Sequence, residues 1–162
     1  MQSVQHYLDE YASDHRNPTN KALHRVCVPL IVLSLLGLLW ALPVPAALAS
    51  MGAYSNWATA FIACTLIYYW LLAPRLAVGM LVVTVVFLGV IDALTSLPWP
   101  LWQTSAAIFV IAWIGQFIGH TIEGKRPSFF RDVQFLLIGP LWLLADAYQR
   151  LGINITKAGQ PK

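Results

Sequence analysis

Charged residues are scarce in this chain of 162 residues, and most of them lie near its ends. Asp, Glu, Lys and Arg together make up 10% of the residues, against about 25% in soluble domains, while hydrophobic residues make up 58%. Between Arg25 and Glu123 the charged residues are Arg75 and Asp92. A soluble protein of this length needs more polar surface, so the sequence predicts a single membrane domain comprising residues 1–162.

Cysteine is scarce too, and its two residues, Cys27 and Cys64, lie inside apolar runs without CxxC spacing. We therefore expect buried free thiols rather than a disulfide or a zinc finger. The formal net charge of +3 is small, and it does not indicate a nucleic-acid binder, which would concentrate Lys and Arg on one polar face. No nucleic-acid partner is therefore predicted. The first 25 residues are polar and lack the apolar segment of a cleavable signal peptide.

Four apolar runs contain most of the hydrophobic residues. A spanning helix needs about 17–25 residues, and the runs approach or reach this length, although the first two are at the short end. Prolines lie between successive runs, and tryptophans lie near their ends, where amphipathic rings prefer the headgroup level. The sequence therefore predicts an all-α integral membrane bundle with four short spanning helices, namely Val26–Leu42, Trp57–Leu72, Leu76–Leu94 and Leu101–Gly119.

The distribution of Lys and Arg between the connecting segments predicts the orientation of this bundle. Basic residues precede the first run and follow the fourth, and Arg75 lies in the tight turn between the second and third. The loops 43–56 and 95–100 carry no charge. Both termini, residues 1–25 and 120–162, are therefore predicted to be cytosolic, in a bacterial inner membrane or an endoplasmic reticulum. The basic residues that precede the first run and closely follow the fourth are Arg16, Lys21, Arg25, Lys125, Arg126 and Arg131.

Two further segments have helical patterns without being clear spans. Val133–Leu151 contains an uninterrupted apolar part of only about 13 residues, a length more typical of interfacial or re-entrant segments. We expect a C-terminal helix that lies at or dips into the inner leaflet, with a fifth span as the alternative. The segment Ser3–Ser13 carries apolar and aromatic residues on one helical face, which predicts a short helix on the same surface.

Three of the four histidines lie in polar clusters at the ends of the predicted bundle. In the first cluster, Asn17 and Pro18 are typical of a helix N-cap and first turn, so a helix is predicted to begin near residue 18. Asn20 and His24 project from one face of that helix, because they are four residues apart. His15 lies just before the cap and is free to fold back toward this face.

The second cluster contains Gln116, His120 and Glu123, which are spaced by four and three residues on one helical face. His24 lies just before the first span, and His120 lies just after the fourth. With a rise of about 1.5 Å per residue, both histidines are within a few ångströms of the same inner boundary. The two clusters can meet if these two helices are neighbours, which the sequence does not establish.

Histidine nitrogens together with a carboxylate are the ligand set of non-haem Fe(II) oxygenases, although imidazole also suits zinc. Ligating histidines need polar partners that orient their rings, and Asn17, Asn20 and Gln116 are candidates for this role. Lys125 and Arg126 stand beside the predicted site and could hold a carboxylate headgroup, although the orientation rule alone also explains them. Histidines near a membrane boundary are often only interfacial, so their spacing leaves both interpretations open.

The two clusters resemble those of the fungal endoplasmic-reticulum 2-hydroxy-fatty-acid dioxygenases of phytosphingosine breakdown and their bacterial homologues. The resemblance covers most of the chain. One departure is Ile122, where the family pattern leads us to expect Phe, on the lipid side of the helix. The resemblance is carried by His15-x-Asn17-x-x-Asn20-x-x-x-His24, by Val28-Pro29 and by Gln116-Phe-x-Gly119-His120-x-x-Glu123-Gly-Lys-Arg-Pro127.

The resemblance implies an Fe(II)-dependent α-oxidation, in which a 2-hydroxy fatty acid and O₂ give a fatty acid one carbon shorter. The implied partners are this substrate, O₂ and the membrane lipid. The implied metal ligands are His15, His24 and His120. Glu123 would be a fourth ligand or an acid–base group, and Asn20 a further catalytic residue. Because the substrate supplies all the electrons, no flavin or nicotinamide is expected. Four histidines are too few for a dinuclear-iron hydroxylase, whereas a zinc-dependent membrane lipid hydrolase and a non-enzymatic scaffold or carrier remain alternatives.

Overall fold

The computed structural model describes residues 3–52, 54–126 and 134–153, and within them every regular element is a helix. The predicted all-α class is therefore confirmed. Pro127, Arg131 and Val133, which belong to patterns described above, lie outside the described residues. The helices are α1 (Val4–Ser13), α2 (Pro18–Trp40), α3 (Ala46–Ala49), α4 (Trp57–Leu72), α5 (Pro74–Thr95), α6 (Leu101–Glu123) and α7 (Phe135–Arg150).

Three of the described helices, α2, α5 and α6, are long and apolar enough to cross a membrane, which indicates that the protein is associated with one. They correspond to the first, third and fourth predicted spans. The helix α4 corresponds to the second, but it has only 16 residues. Its crossing of the bilayer stays a prediction.

Local chemistry sets the ends of the two helices that carry the histidine clusters. The helix α2 begins at Pro18, as predicted, and the side chain of Asn17 accepts hydrogen bonds from the backbone N–H groups of Thr19 and Asn20. A proline in the first turn loses no hydrogen bond, because that N–H has no partner inside the helix. The helix α6 ends at Glu123, and the next residue, Gly124, has a φ of 73°, in the left-handed region that favours glycine.

The helices α2 and α6 are neighbours, and glycines on α6 allow them to approach closely. A Cβ on Gly115 would lie 2.6 Å from the sulfur of Cys27, and a Cβ on Gly119 would lie 2.5 Å from Oδ1 of Asn20. Glycines four residues apart let helix backbones approach in membrane proteins. The condition for the two histidine clusters to meet is therefore fulfilled.

The helices α1 and α7 pack together over the end of the bundle at which α2 begins and α6 ends. The helix α7 buries Ile138, Leu141 and Ala145 along one face. They belong to one hydrophobic core with Leu8 and Tyr11 of α1 and with residues of α4 and α5. The described C-terminal helix is thus built into the core, and the short N-terminal helix is held against it.

Candidate metal centre

Three histidines from different segments come together where α1 ends, α2 begins and α6 ends. His15 lies in the turn after α1, His24 in the second turn of α2, and His120 in the last turn of α6. Their relative exposures are only 1%, 1% and 5%, and one ring nitrogen of each lies within 4.8 Å of those of the other two. This group could hold a metal ion.

Two backbone carbonyls fix the tautomers of His15 and His24. The Nδ1 atom of His15 lies 2.6 Å from the carbonyl oxygen of Tyr11, and that of His24 lies 3.0 Å from the carbonyl oxygen of Asn20. A carbonyl oxygen can only accept, so both Nδ1 atoms donate and both Nε2 atoms carry a lone pair. Histidines that bind metals are oriented by acceptors in this way.

The two Nε2 atoms of His15 and His24 lie 2.9 Å apart. With both Nδ1 atoms protonated, two lone pairs face each other with no hydrogen between them, and this contact is repulsive unless a cation is shared. Imidazole–metal bonds are about 2.0–2.1 Å long, so two ligands at about 90–110° would have nitrogens about 2.9–3.4 Å apart. The observed distance therefore fits two ligands of one ion.

The surroundings of His15 disfavour a proton as the cation shared between the Nε2 atoms of His15 and His24. Burial lowers the pKa of His15 below its usual value, and this effect outweighs the raising by the carbonyl of Tyr11 and by Asp14. The ring of Tyr11 is stacked on that of His15, with centroids 4.2 Å apart and an interplanar angle of 14°, and Trp142 lies 5.7 Å away. The neutral imidazole that results is the form that binds metals.

Two polar atoms beside the three histidines have unused hydrogen-bonding capacity. Nδ1 of His120 and Nε2 of Gln116 are buried and make no hydrogen bond within the described part of the chain. Both residues line a small cavity of about 60 Å³ together with His24 and Tyr11. A buried polar atom without a partner costs free energy, so a polar ligand in this cavity would be stabilised.

Glu123 connects the end of α6 to the start of α2. Its carboxylate accepts three hydrogen bonds of 2.9 Å each, from the backbone N–H groups of Arg16 and Asn17 and from Nδ2 of Asn20. Hydrogen bonds to a charged acceptor are stronger than those between neutral groups. The three hydrogen bonds therefore hold α6 close to the start of α2. They keep His120, which lies one turn before Glu123 on α6, near His24 of α2.

The other predicted site residues have partners of several kinds. The side-chain oxygen of Asn17 caps α2. The ammonium group of Lys125 donates to the carbonyl oxygen of Ser13 and to Asp14, at 3.0 Å each, and this joins α6 to α1. Arg126 is exposed. The role of these cations toward a substrate carboxylate stays a prediction.

Two aromatic residues that enclose the site were not predicted as site residues from the sequence. Tyr11 and Trp142 lie 5.4 Å apart between ring centroids, and both contact His15. Tyr11 is four residues before His15, and this spacing of about one helical turn could have predicted the contact between them. Trp142 comes from α7, and its local pattern gives no indication of the site.

The sequence matches a known family along nearly its whole length. The family described as 2-hydroxy-palmitic acid dioxygenase Mpo1-like matches residues 1–151. The 2-hydroxy-palmitic acid dioxygenase MPO1 of Saccharomyces cerevisiae is 25% identical over 147 residues, which cover 90% of this chain and 79% of the yeast protein. No solved structure matches the chain.

Proposed function

The chain belongs to the 2-hydroxy-palmitic acid dioxygenase Mpo1-like family, and on this premise we propose that it is an Fe(II)-dependent dioxygenase of fatty-acid α-oxidation. A 2-hydroxy fatty acid and O₂ would give the fatty acid one carbon shorter, CO₂ and water. The bond between C1 and C2 breaks, C1 leaves as CO₂, and C2 is oxidised from an alcohol to a carboxylic acid. Atoms and electrons balance with O₂ as the oxidant, so no further reductant is needed.

The observation that carries the proposal is the distance of 2.9 Å between the Nε2 atoms of His15 and His24, which lie beside the buried ring of His120. These three histidines are the proposed ligands. When bound, Fe(II) supplies Lewis acidity toward the 2-hydroxyl and carboxylate oxygens of the substrate and the redox chemistry that O₂ requires. A hydroxy acid suits such a site, because its two oxygens can bind side by side.

The surrounding residues would hold this arrangement and the substrate. The carbonyls of Tyr11 and Asn20 keep protons on the Nδ1 atoms, which leaves the Nε2 atoms free to ligate. Gln116 would donate its buried amide hydrogens to a group bound in the small cavity. Glu123 is proposed as a fourth ligand or acid–base group, with Asn20 holding its carboxylate in one orientation. The exposed Arg126 would attract the carboxylate of the substrate.

The proposed placement in the membrane puts this chemistry at the cytosolic boundary. Residues 1–162 would form one membrane domain with four spans, α4 included, and both termini in the cytosol. The helices α1 and α7 would lie at the inner leaflet, where they cover the histidines and exclude bulk water. A fatty acid already inserted in the bilayer has its carboxylate at this depth, so it could reach the site without leaving the lipid.

Oxygen dependence tests the proposal. Purified protein loaded with Fe(II) is incubated with 2-hydroxypalmitate, with and without O₂, and pentadecanoate and O₂ uptake are measured. We expect one O₂ consumed per pentadecanoate formed, and no product without O₂. Equal shortening under anaerobic conditions would refute the dioxygenase. Ester hydrolysis by zinc-loaded protein, with no reaction of the Fe(II) form, would favour a hydrolase.

A further inference from the structure

A second cavity, of about 460 Å³, lies among α2, α4, α5, α6 and α7. Ligand pockets have volumes of about 300–1,000 Å³, so this cavity is large enough for a sizeable molecule. Its lining is mainly aliphatic and aromatic. The hydroxyl of Tyr69 donates to the carbonyl of Leu137, and the amide of Gln134 donates to Tyr68, so these polar groups are engaged within the wall.

The larger cavity adjoins the small cavity beside the histidines. The two share part of their lining, which comes from α2, α6 and α7. A molecule with its polar end at the histidines could therefore extend its apolar part into the larger cavity without crossing a polar barrier. The shared residues are Ile31, Val32, Trp113, Leu136 and Pro140.

The larger cavity extends far along the bundle from the histidines. On α2, Leu36 lies about 18 Å beyond His24, and on α6, Phe109 lies about 16 Å beyond His120, at a rise of about 1.5 Å per residue. Both Leu36 and Phe109 line the cavity, as does Thr84 of α5. The two adjoining cavities together thus reach about 16–18 Å from the histidines along an apolar path, which suits an unbranched hydrocarbon chain.

We propose that this cavity is the acyl-chain site of the protein and that its far wall sets the longest chain accepted. The inference rests on the proposed function, because it places the tail of the proposed hydroxy-acid substrate there. A chain that moves from lipid into protein gains little from the hydrophobic effect, because lipid tails are equally apolar. Selection by length therefore comes from fit, and an added side chain in the far wall shortens the accepted tail.

Two tryptophan substitutions on one helix test this inference. Thr84→Trp fills the far part of the cavity, whereas Val85→Trp adds the same side chain at a neighbouring position that is 61% exposed. Binding of 2-hydroxypalmitate and 2-hydroxydecanoate is measured in lipid nanodiscs, and turnover of both acids is measured separately. We expect Thr84→Trp to weaken binding of 2-hydroxypalmitate about tenfold or more, because overpacking is costly, and to spare the shorter acid. Val85→Trp should change neither.

The binding and turnover measurements separate failure of the acyl site from failure of the proposed reaction. If the wild-type protein shortens 2-hydroxypalmitate and Thr84→Trp leaves the preference between the two acids unchanged, the acyl site is refuted and the reaction stands. If no hydroxy acid is turned over but Thr84→Trp selectively weakens binding of the longer one, the reaction is refuted and the acyl site stands. Phe109→Ala enlarges the cavity and should extend binding to 2-hydroxy acids longer than palmitate. An unchanged length limit in that variant would also overturn the inference, even if Thr84→Trp does not fold.

Discussion

The side-chain oxygen of Asn20 lies so close to Gly119 that a Cβ on residue 119 would come within 2.5 Å of it. Asn20 cannot move aside freely, because its Nδ2 atom donates a hydrogen bond to Glu123. The approach of α2 and α6 that brings His24 and His120 together therefore depends on the absence of a side chain at position 119.

Gly119→Ala should lower the free energy of unfolding by about 1–3 kcal/mol, the usual cost of overpacking, and should weaken iron binding. Gly89→Ala is the matched control, because no atom lies within 4 Å of a Cβ built there. Alanine is a better helix former than glycine, so the control should be as stable as the wild type or more stable by up to about 1 kcal/mol. Thermal unfolding in detergent compares them. Equal melting temperatures for the two variants would show that the contact is not tight.

His24→Ala should remove most of the iron from the purified protein, because it deletes one of two nitrogens that lie 2.9 Å apart in the buried group. His6→Ala is the control, since His6 lies on α1 with half of its side chain exposed. Metal analysis after anaerobic loading gives the iron content per chain. Full iron content in His24→Ala would remove this residue from the site.

Tyr11→Leu should lower iron affinity about tenfold to a hundredfold, the usual effect of losing a group that orients a ligand. The variant loses the ring that stacks on His15 but keeps the backbone carbonyl that accepts its hydrogen bond. Tyr11→Phe retains the stacked ring and should bind iron as the wild type does. Competition with a chromophoric chelator measures the affinities. If both variants bound iron equally well, stacking would have no part in orienting His15.

The metal-free protein should become less stable as the pH falls below about 6.5. Burial holds the pKa of His15 below its usual value of 6.5 in the folded state, whereas the unfolded chain has the usual value. Below that pH the unfolded state binds a proton that the folded state excludes, so this group lowers the free energy of unfolding by up to about 1.4 kcal/mol per pH unit. Thermal unfolding across this range measures the dependence, which should be weaker in His15→Gln. Stability that rises as the pH falls would contradict the assignment.

Much of the fold follows from local signals in the sequence. Asn17 and Pro18 specify the start of α2, and the apolar runs specify the long helices. The helical rise alone puts His24 and His120 near one boundary plane. That α2 and α6 are neighbours was left open, although Gly115 and Gly119 are four residues apart, a spacing that indicates close helix packing.

The partners of the histidines could not be predicted in the same way. Polar side chains were the candidates to orient the rings, and the side-chain oxygen of one of them, Asn17, caps α2. The carbonyls of Tyr11 and Asn20 face the histidine rings. Every residue has a carbonyl, so sequence cannot show which one will be directed at a ring. The ligand and catalytic roles of the site residues stay predictions.

The separation of the histidines along the chain has a consequence for biosynthesis. His15 and His24 leave the ribosome early, whereas His120 lies at the end of α6, after the other long helices have been made. Before α6 is made, the nascent chain holds only two of the three grouped histidines, and the third is added with the last turn of α6. A chain that stalls before α6 therefore lacks one of the three grouped histidines, and a complete group requires synthesis as far as the end of α6.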